Sequence, residues 1–190
     1  MVRTEPLAIP MTPRLERERE LWRHSRRPSH IEVPGPGQRS VWDFPRPPAV
    51  ERVLERVTVT FAGRRIADTE HCLRLCETAS PPSYYIPRAD IAMDHLRRCA
   101  GSSHCEWKGR ASYFDLVVDG RVSRQAAWSY EQIAGEYRVL LDHLAFYVSR
   151  TDRCTVGDDV ATAQPGGFYG GWITSELTGP WKGGAGTVGW

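Results

Sequence analysis

Four large aromatic residues, Trp107, Tyr113, Trp128 and Tyr130, flank an Asp119-Gly120 pair at spacings that place them together. Asp-Gly between two runs that alternate apolar and polar residues signals a β-hairpin, because both residues tolerate the positive φ of a type I′ turn. A two-residue loop sets Asp115 opposite Arg124, Tyr113 opposite Ala126, Ala111 opposite Trp128 and Gly109 opposite Tyr130. Side chains alternate with period two, so all four rings share one face, each across from a small residue. That leaves room for a planar molecule between the rings. Indole and phenol groups unaccompanied by Leu or Ile suit a ligand cage that stays partly polar; the plain alternative is that the same rings are core. Asp115 and Arg124 are expected to form a cross-strand ion pair. The other face carries Lys108, Arg110, Ser112, Phe114, Leu116, Ser123, Gln125 and Ala127. It is mostly polar and is expected to face solvent, although a bulge would exchange the faces upstream of it.

Cysteine chemistry is the other candidate. The chain has five cysteines, Cys72, Cys76, Cys99, Cys105 and Cys154, and no C-x-x-C pair. An odd count with no export signal indicates free thiols. His71 and His104 adjoin two of them, but the spacing of Cys99 and Cys105 departs from that of zinc knuckles, and no metal site is expected. Cys105 beside His104 makes a poor catalytic pair, because strand neighbours point to opposite faces.

The elements that must position these groups are mostly strands. Residues 13–27 read as an amphipathic helix, capped by Thr12 and opened by Pro13. A proline-rich linker follows to residue 49, with Trp42 and Phe44 as anchors. Strands are expected over Arg56–Phe61, Arg64–Glu70 and Cys72–Glu77. Pro81-Pro82 should break the chain before a short strand at Tyr84–Ile86, and Asp90 should cap a helical turn through Met93. Leu96–Cys99 reads as a strand, Tyr137–His143 as a short helix and Leu144–Val148 as a strand. Many short strands at close spacing indicate a β sandwich or an open barrel. From Gln164 the chain is rich in Gly, and Trp172, Trp181 and Trp190 lie nine residues apart. Such a tail is expected to bury its tryptophans by wrapping the domain or a second subunit, or else to form a flap over the pocket.

Composition excludes several classes. Of 190 residues, 41% are hydrophobic and 25% charged, as in ordinary globular domains, and the net charge of +2 gives no electrostatic case for nucleic acid. No apolar run of about 18 residues offers a membrane span, and no apolar signal core opens the chain, so a cytoplasmic location is expected.

The strings Arg56-Val-Thr-Val-Thr-Phe-Ala-Gly, Leu75-Cys-Glu-Thr, Pro82-Ser-Tyr-Tyr-Ile-Pro-Arg-Ala-Asp90, Cys105-Glu-Trp-Lys-Gly109, Ala127-Trp-Ser-Tyr130 and Ala145-Phe-Tyr147 together resemble the domain of unknown function 427 family over roughly residues 50–150. The Trp-Asp-Phe-Pro-Arg-Pro-Pro segment and the Gly-rich tail resemble its actinobacterial members with extended ends. The resemblance implies a mainly β, β-tent-like fold: a pair of small antiparallel sheets, with one N-terminal helix and short helical turns. That fold is shared with methionine sulfoxide reductase B and with the thalidomide-binding domain of cereblon, where an aromatic cage holds a cyclic imide. No residue motif of the reductase is present here, so its chemistry is not carried over. The resemblance adds Glu77, Tyr84, Tyr85, Asp90 and Lys108 to the aromatic site.

The expected organisation is an N-terminal helix and linker over 1–49, a β-tent-like domain over 50–157 and a Gly/Trp-rich tail over 158–190. The expected function is binding of a small polar planar or cyclic molecule by Tyr84, Tyr85, Trp107, Tyr113, Trp128 and Tyr130, with no cofactor. One alternative is a cofactor-independent enzyme in the same pocket, using Glu77 or Asp90 as acid-base and Lys108 in support. Another is an interaction module, including a homodimer, docking through the helix and tail.

Overall fold

The structure, a computed structural model, describes residues 2–22, 27–133, 135–187 and 189–190. In chain order the elements are β1 (Thr4–Leu7), α1 (Pro13–Trp22), β2 (Arg39–Ser40), β3 (Ala49–Val53), β4 (Val57–Phe61), β5 (Arg64–Thr69), β6 (Leu73–Glu77), β7 (Ser80–Pro87), β8 (Leu96–Cys105), β9 (Gly109–Val118), β10 (Arg121–Ser129), β11 (His143–Phe146), β12 (Arg153–Val156), β13 (Asp159–Val160), β14 (Thr162–Ala163), β15 (Trp172–Ile173) and β16 (Leu177–Thr178). Short 3-10 turns join several of them. The fold is mainly β with one α-helix, built on two antiparallel sheets. The larger has eight strands in the order β1-β3-β6-β7-β11-β10-β9-β8, and the smaller has four in the order β13-β12-β4-β5. No helix among the described residues is long and apolar enough to cross a membrane.

Local sequence explains much of this. Val57, Val59 and Phe61 alternate inward along β4, and Ala62-Gly63 turns the chain into β5 with φ of 49° and 72°. Thr12 accepts the Leu15 N–H at 3.4 Å and so caps α1, which buries Leu15. The part of the expected helix at residues 23–26 lies outside the described residues.

The core lies between the sheets. Val57, Val59, Phe61 and Ile66 of the small sheet pack against Tyr84, Ile86, Phe114, Leu116, Leu144 and Phe146 of the large one. The hairpin face expected in solvent is therefore interior along Ser112, Phe114, Leu116 and Ala127, while Arg110 and Gln125 stay exposed. The strands are central in an eight-stranded sheet and are covered on both sides, which buries Phe114, Leu116 and Ala127.

The register also differs from a plain two-residue hairpin. Val118 pairs with Arg121 as expected, but the ladder shifts between Ser123 and Ala127, so Trp128 lies opposite Tyr113 rather than Ala111. Gln125 bulges out with φ of 47°. Asp115 stabilises the bulge by accepting the Gln125 backbone N–H at 2.7 Å and the Arg124 guanidinium at 2.6 Å. The Asp115–Arg124 pair thus forms, on a bulge instead of a regular ladder.

Pro81-Pro82 does not break the chain. Both prolines lie inside β7, where the pairing with β6 shifts register between Leu75 and Glu77, and a bulge is where a strand tolerates residues lacking an N–H.

The tail packs on its own chain. Trp172 is fully buried, stacks on Tyr84 at 4.9 Å between ring centroids, and donates its indole N–H to the Phe146 carbonyl at 2.8 Å. β16 pairs in parallel with β2, and Trp190 meets Trp42 edge-on at 5.2 Å.

A buried ion cluster ties these segments together. Arg74 is fully buried; it donates to Glu51 at 2.8 Å, to Glu176 of the tail and to Thr4 Oγ1 at 3.4 Å. Arg39 adds contacts to Glu51 at 3.1 Å. Burial opposes the charge on Glu51, but hydrogen bonds from Arg39 and the charge and hydrogen bonds of Arg74 outweigh it and hold its pKa at about 2.

Two outcomes are expected. Arg74→Ala should lower the free energy of unfolding in urea by about 3–5 kcal/mol, because it leaves Glu176 buried without that cation and Glu51 with Arg39 alone. Glu51 binds its proton less tightly folded than unfolded, so its contribution is complete above the ordinary carboxylate value of 4.5 and is lost as pH falls toward about 2. Thermal unfolding across that range should show a steep acid limb, and Glu51→Gln should flatten it.

Candidate functional site

On the face of the large sheet away from the main core, one transverse row crosses five strands. It runs Leu73, Tyr85, Ala145, Trp128 and Tyr113 on β6, β7, β11, β10 and β9. Ala145 is the small member, and the rings of Tyr85 and Trp128 on either side of it meet edge to face at 6.4 Å and 82°. Tyr147 packs on Trp128 at 4.6 Å, and the Tyr113 hydroxyl bonds Ser103 Oγ at 2.7 Å. Above this row lies an open cavity of about 350 Å³.

Strand alternation and one turn bring charged groups to it. Glu77 ends β6 on the same side as Leu73 and Leu75. Lys108 enters from the turn between β8 and β9, where Cys105 pairs with Gly109 and Gly109 adopts φ of 83°. The turn that brings Lys108 in also moves it off the solvent side that a regular strand would give it. Its side chain is buried, with Nζ 5.2 Å from the centroid of the Tyr130 ring.

Of the residues singled out in the sequence, Glu77, Tyr85, Trp107, Lys108, Tyr113, Trp128 and Tyr130 all line the cavity. Tyr84 and Asp90 do not. Tyr84 neighbours Tyr85 on a strand, so it points to the opposite face and belongs to the main core. Asp90 closes a 3-10 turn at Arg88–Asp90, where its carboxylate accepts a hydrogen bond from Thr69 Oγ1 at 2.5 Å; it does not cap the next turn.

The structure adds residues from the two ends of the chain: Arg46 from the linker, and Gln164, Phe168, Tyr169, Gly170 and Lys182 from the tail. Their signal in the sequence was Gly-Gly-Phe-Tyr-Gly-Gly, whose glycines permit close approach. A Cβ on Gly170 would lie 2.2 Å from Trp128 Cη2, and one on Gly171 would lie 2.4 Å from the Pro81 carbonyl oxygen. Gln164 fastens this segment, donating to Ser80 Oγ at 3.1 Å and to the Lys182 carbonyl at 2.8 Å.

Charge in the cavity is unevenly shared. Arg46 contacts Glu106 at 2.6 Å and Glu77 at 3.4 Å while its guanidinium lies 3.8 Å over the Trp22 ring. Lys182 reaches Glu77 at 3.6 Å. Burial, with repulsion from Arg46 and Lys108, lowers the pKa of Lys182 despite Glu77. Burial also opposes the charge of Lys108, but Tyr85, Cys105 and Glu77 together raise its pKa. Burial pushes Tyr85, Tyr130 and Tyr147 upward, and they remain neutral phenols.

The thiols divide by burial. Desolvation raises Cys76 and Cys154 to about 12, which leaves them unreactive at neutral pH, whereas Cys105 lines the cavity. Among the described residues no group of three or more His, Cys, Asp or Glu side chains is arranged to hold a metal ion.

Residues 49–157 match the family model described as domain of unknown function DUF427. The chain belongs to that family. A search of curated proteins finds no match to the chain. Every aromatic residue of the transverse row, and Glu77 and Lys108, lies within the DUF427 match, whereas Arg46, Gln164, Phe168, Tyr169, Gly170 and Lys182 lie outside it. The family domain thus supplies the floor and three charged groups, Glu77, Glu106 and Lys108, and the extensions of this chain supply the rim.

Gly170→Ala tests that closure. The added methyl must displace the Trp128 ring or the tail, which should cost about 1–3 kcal/mol in urea unfolding and shift the tryptophan emission of the folded protein.

Proposed function

We propose that this chain binds a small polar, planar or cyclic molecule in the cavity above Trp128. The observation that carries the reading is a roomy, open space whose walls combine Tyr85, Trp107, Tyr113, Trp128 and Tyr130 with the charged groups Glu77, Lys108 and Lys182. Its volume of about 350 Å³ falls in the range of small-molecule sites. Aromatic side chains hold flat molecules by stacking and edge contacts, and a few charged groups among them fix the orientation. The tail and the Trp42 region pack on the chain itself, which favours a role for the extensions in shaping the cavity over docking a partner. The alternative of acid-base catalysis here would rest on Glu77 with Lys108, because Asp90 lies elsewhere.

The test is a thermal-shift screen with cyclic imides, nucleobases and aromatic acids, followed by calorimetry on wild type and Trp128→Ala. A cavity ligand should lose about tenfold or more in affinity in the variant. Equal stabilisation of both proteins by every compound that binds would overturn the reading.

A further inference from the structure

The cavity lining carries more positive charge than its own carboxylates balance. Its cations are Arg46, Lys108 and Lys182, and its carboxylates are Glu77 and Glu106, an excess of one positive charge with His104 neutral. Glu106 is half exposed, so its charge is largely screened and the buried balance is more positive still. Arg46 and Lys182 share Glu77. Among the described residues, Lys108 has no carboxylate within the 4.0 Å of an ion pair, although only 7% of the residue is exposed. Glu77 acts on this buried ammonium only from beyond ion-pair distance and is already shared by Arg46 and Lys182, so an added anion supplies the direct partner that Lys108 lacks.

A second, independent observation points the same way. One buried N–H donor, Trp107 Nε1, has no hydrogen-bond partner among the described residues, and Trp107 lines this cavity. Trp107 is itself 6% exposed. Buried donors in native proteins nearly always meet an acceptor, so this indole N–H asks for one from the cavity. A neutral ligand could accept from an indole N–H, but only a negatively charged one also answers the charge excess at Lys108.

Building on the small-molecule reading above, we propose that the natural ligand is an acid: a planar ring bearing a carboxylate or similar single negative charge. Its ring lies against Trp128, Tyr85 and Tyr113, and its charged group pairs with Lys108. Glu77 is paired with Arg46 and Lys182, which offsets its repulsion of the bound acid. Lys108 therefore selects the acid, while Lys182 chiefly holds Glu77.

Matched probes test this: benzoate against benzamide, nicotinate against nicotinamide, and indole-3-carboxylate against its carboxamide. Each pair keeps the ring and changes the charge. Calorimetry or tryptophan quenching should show the acids binding about tenfold or more tighter than the amides. Lys108→Met should bring acid and amide affinities within about threefold of each other, Lys108→Arg should keep the acid preference, and Lys182→Met should reduce it less than Lys108→Met does. Circular dichroism and melting curves establish that each variant is folded. Amides binding as tightly as acids, with both weakened by Trp128→Ala, would overturn the acid assignment and leave the cavity reading standing. An acid preference that survives in Lys108→Met would overturn the role of Lys108. Insensitivity of every probe to Trp128→Ala, or no binding by any probe, would remove the cavity reading and this inference together.

Discussion

The buried guanidinium of Arg74 is the interaction on which the arrangement of this molecule turns. A fully buried cation must be met by carboxylates, and here they come from distant parts of the chain: Glu51 on β3 and Glu176 in the tail, with Thr4 of β1 alongside. Satisfying one side chain therefore docks the N-terminal strand and the C-terminal segment on the same edge of the large sheet. Once Glu176 is fixed, the tail is held on one side by Trp172 stacked on Tyr84 and on the other by β16 paired with β2. The stretch that follows delivers Lys182 to the cavity, and Gln164 binds its carbonyl. A polar interaction on the opposite face of the sheet thus helps to place Lys182 at the cavity.

The large sheet does two jobs because both of its faces are covered. One face meets the small sheet and forms a dry core of Val, Ile, Leu and Phe. The other carries the aromatic row and opens into the cavity. Tyr84 and Tyr85 illustrate the division: consecutive residues of one type, separated by the pleat into a core residue stacked on Trp172 and a wall of the site. The main core holds the strands in place, and the rings on the opposite face inherit that rigidity.

Several features were legible from local pattern. The Asp119-Gly120 turn, the inward alternation of β4 and the Thr12 cap each depend on residues within a few positions of one another, and each forms as their chemistry requires. The aromatic set was legible for the same reason, since period-two alternation depends only on the backbone being extended. What local pattern missed shares a different cause. The bulge at Gln125 changed the partner of Trp128, because the Asp115 carboxylate captures the Gln125 N–H across the ladder. Pro81-Pro82 stayed within a strand because a bulge in the β6–β7 pairing accommodates it. Phe114 and Leu116 read as members of a polar face, and only the small sheet packed against them made that face interior.

The sequence by itself determined the family, the mainly β class, the hairpin turn and seven residues that line the cavity, because those depend on short-range periodicity and motif. Tertiary structure alone decided that Tyr84 and Asp90 lie elsewhere, that Lys108 is buried against Tyr130, and that Arg46 and Lys182 join Glu77. The last of these depends on where segments more than a hundred residues apart come to rest, from Arg46 to Lys182. That is set by burial and charge pairing over the whole chain, with Arg74 at its centre, and no local spacing encodes it.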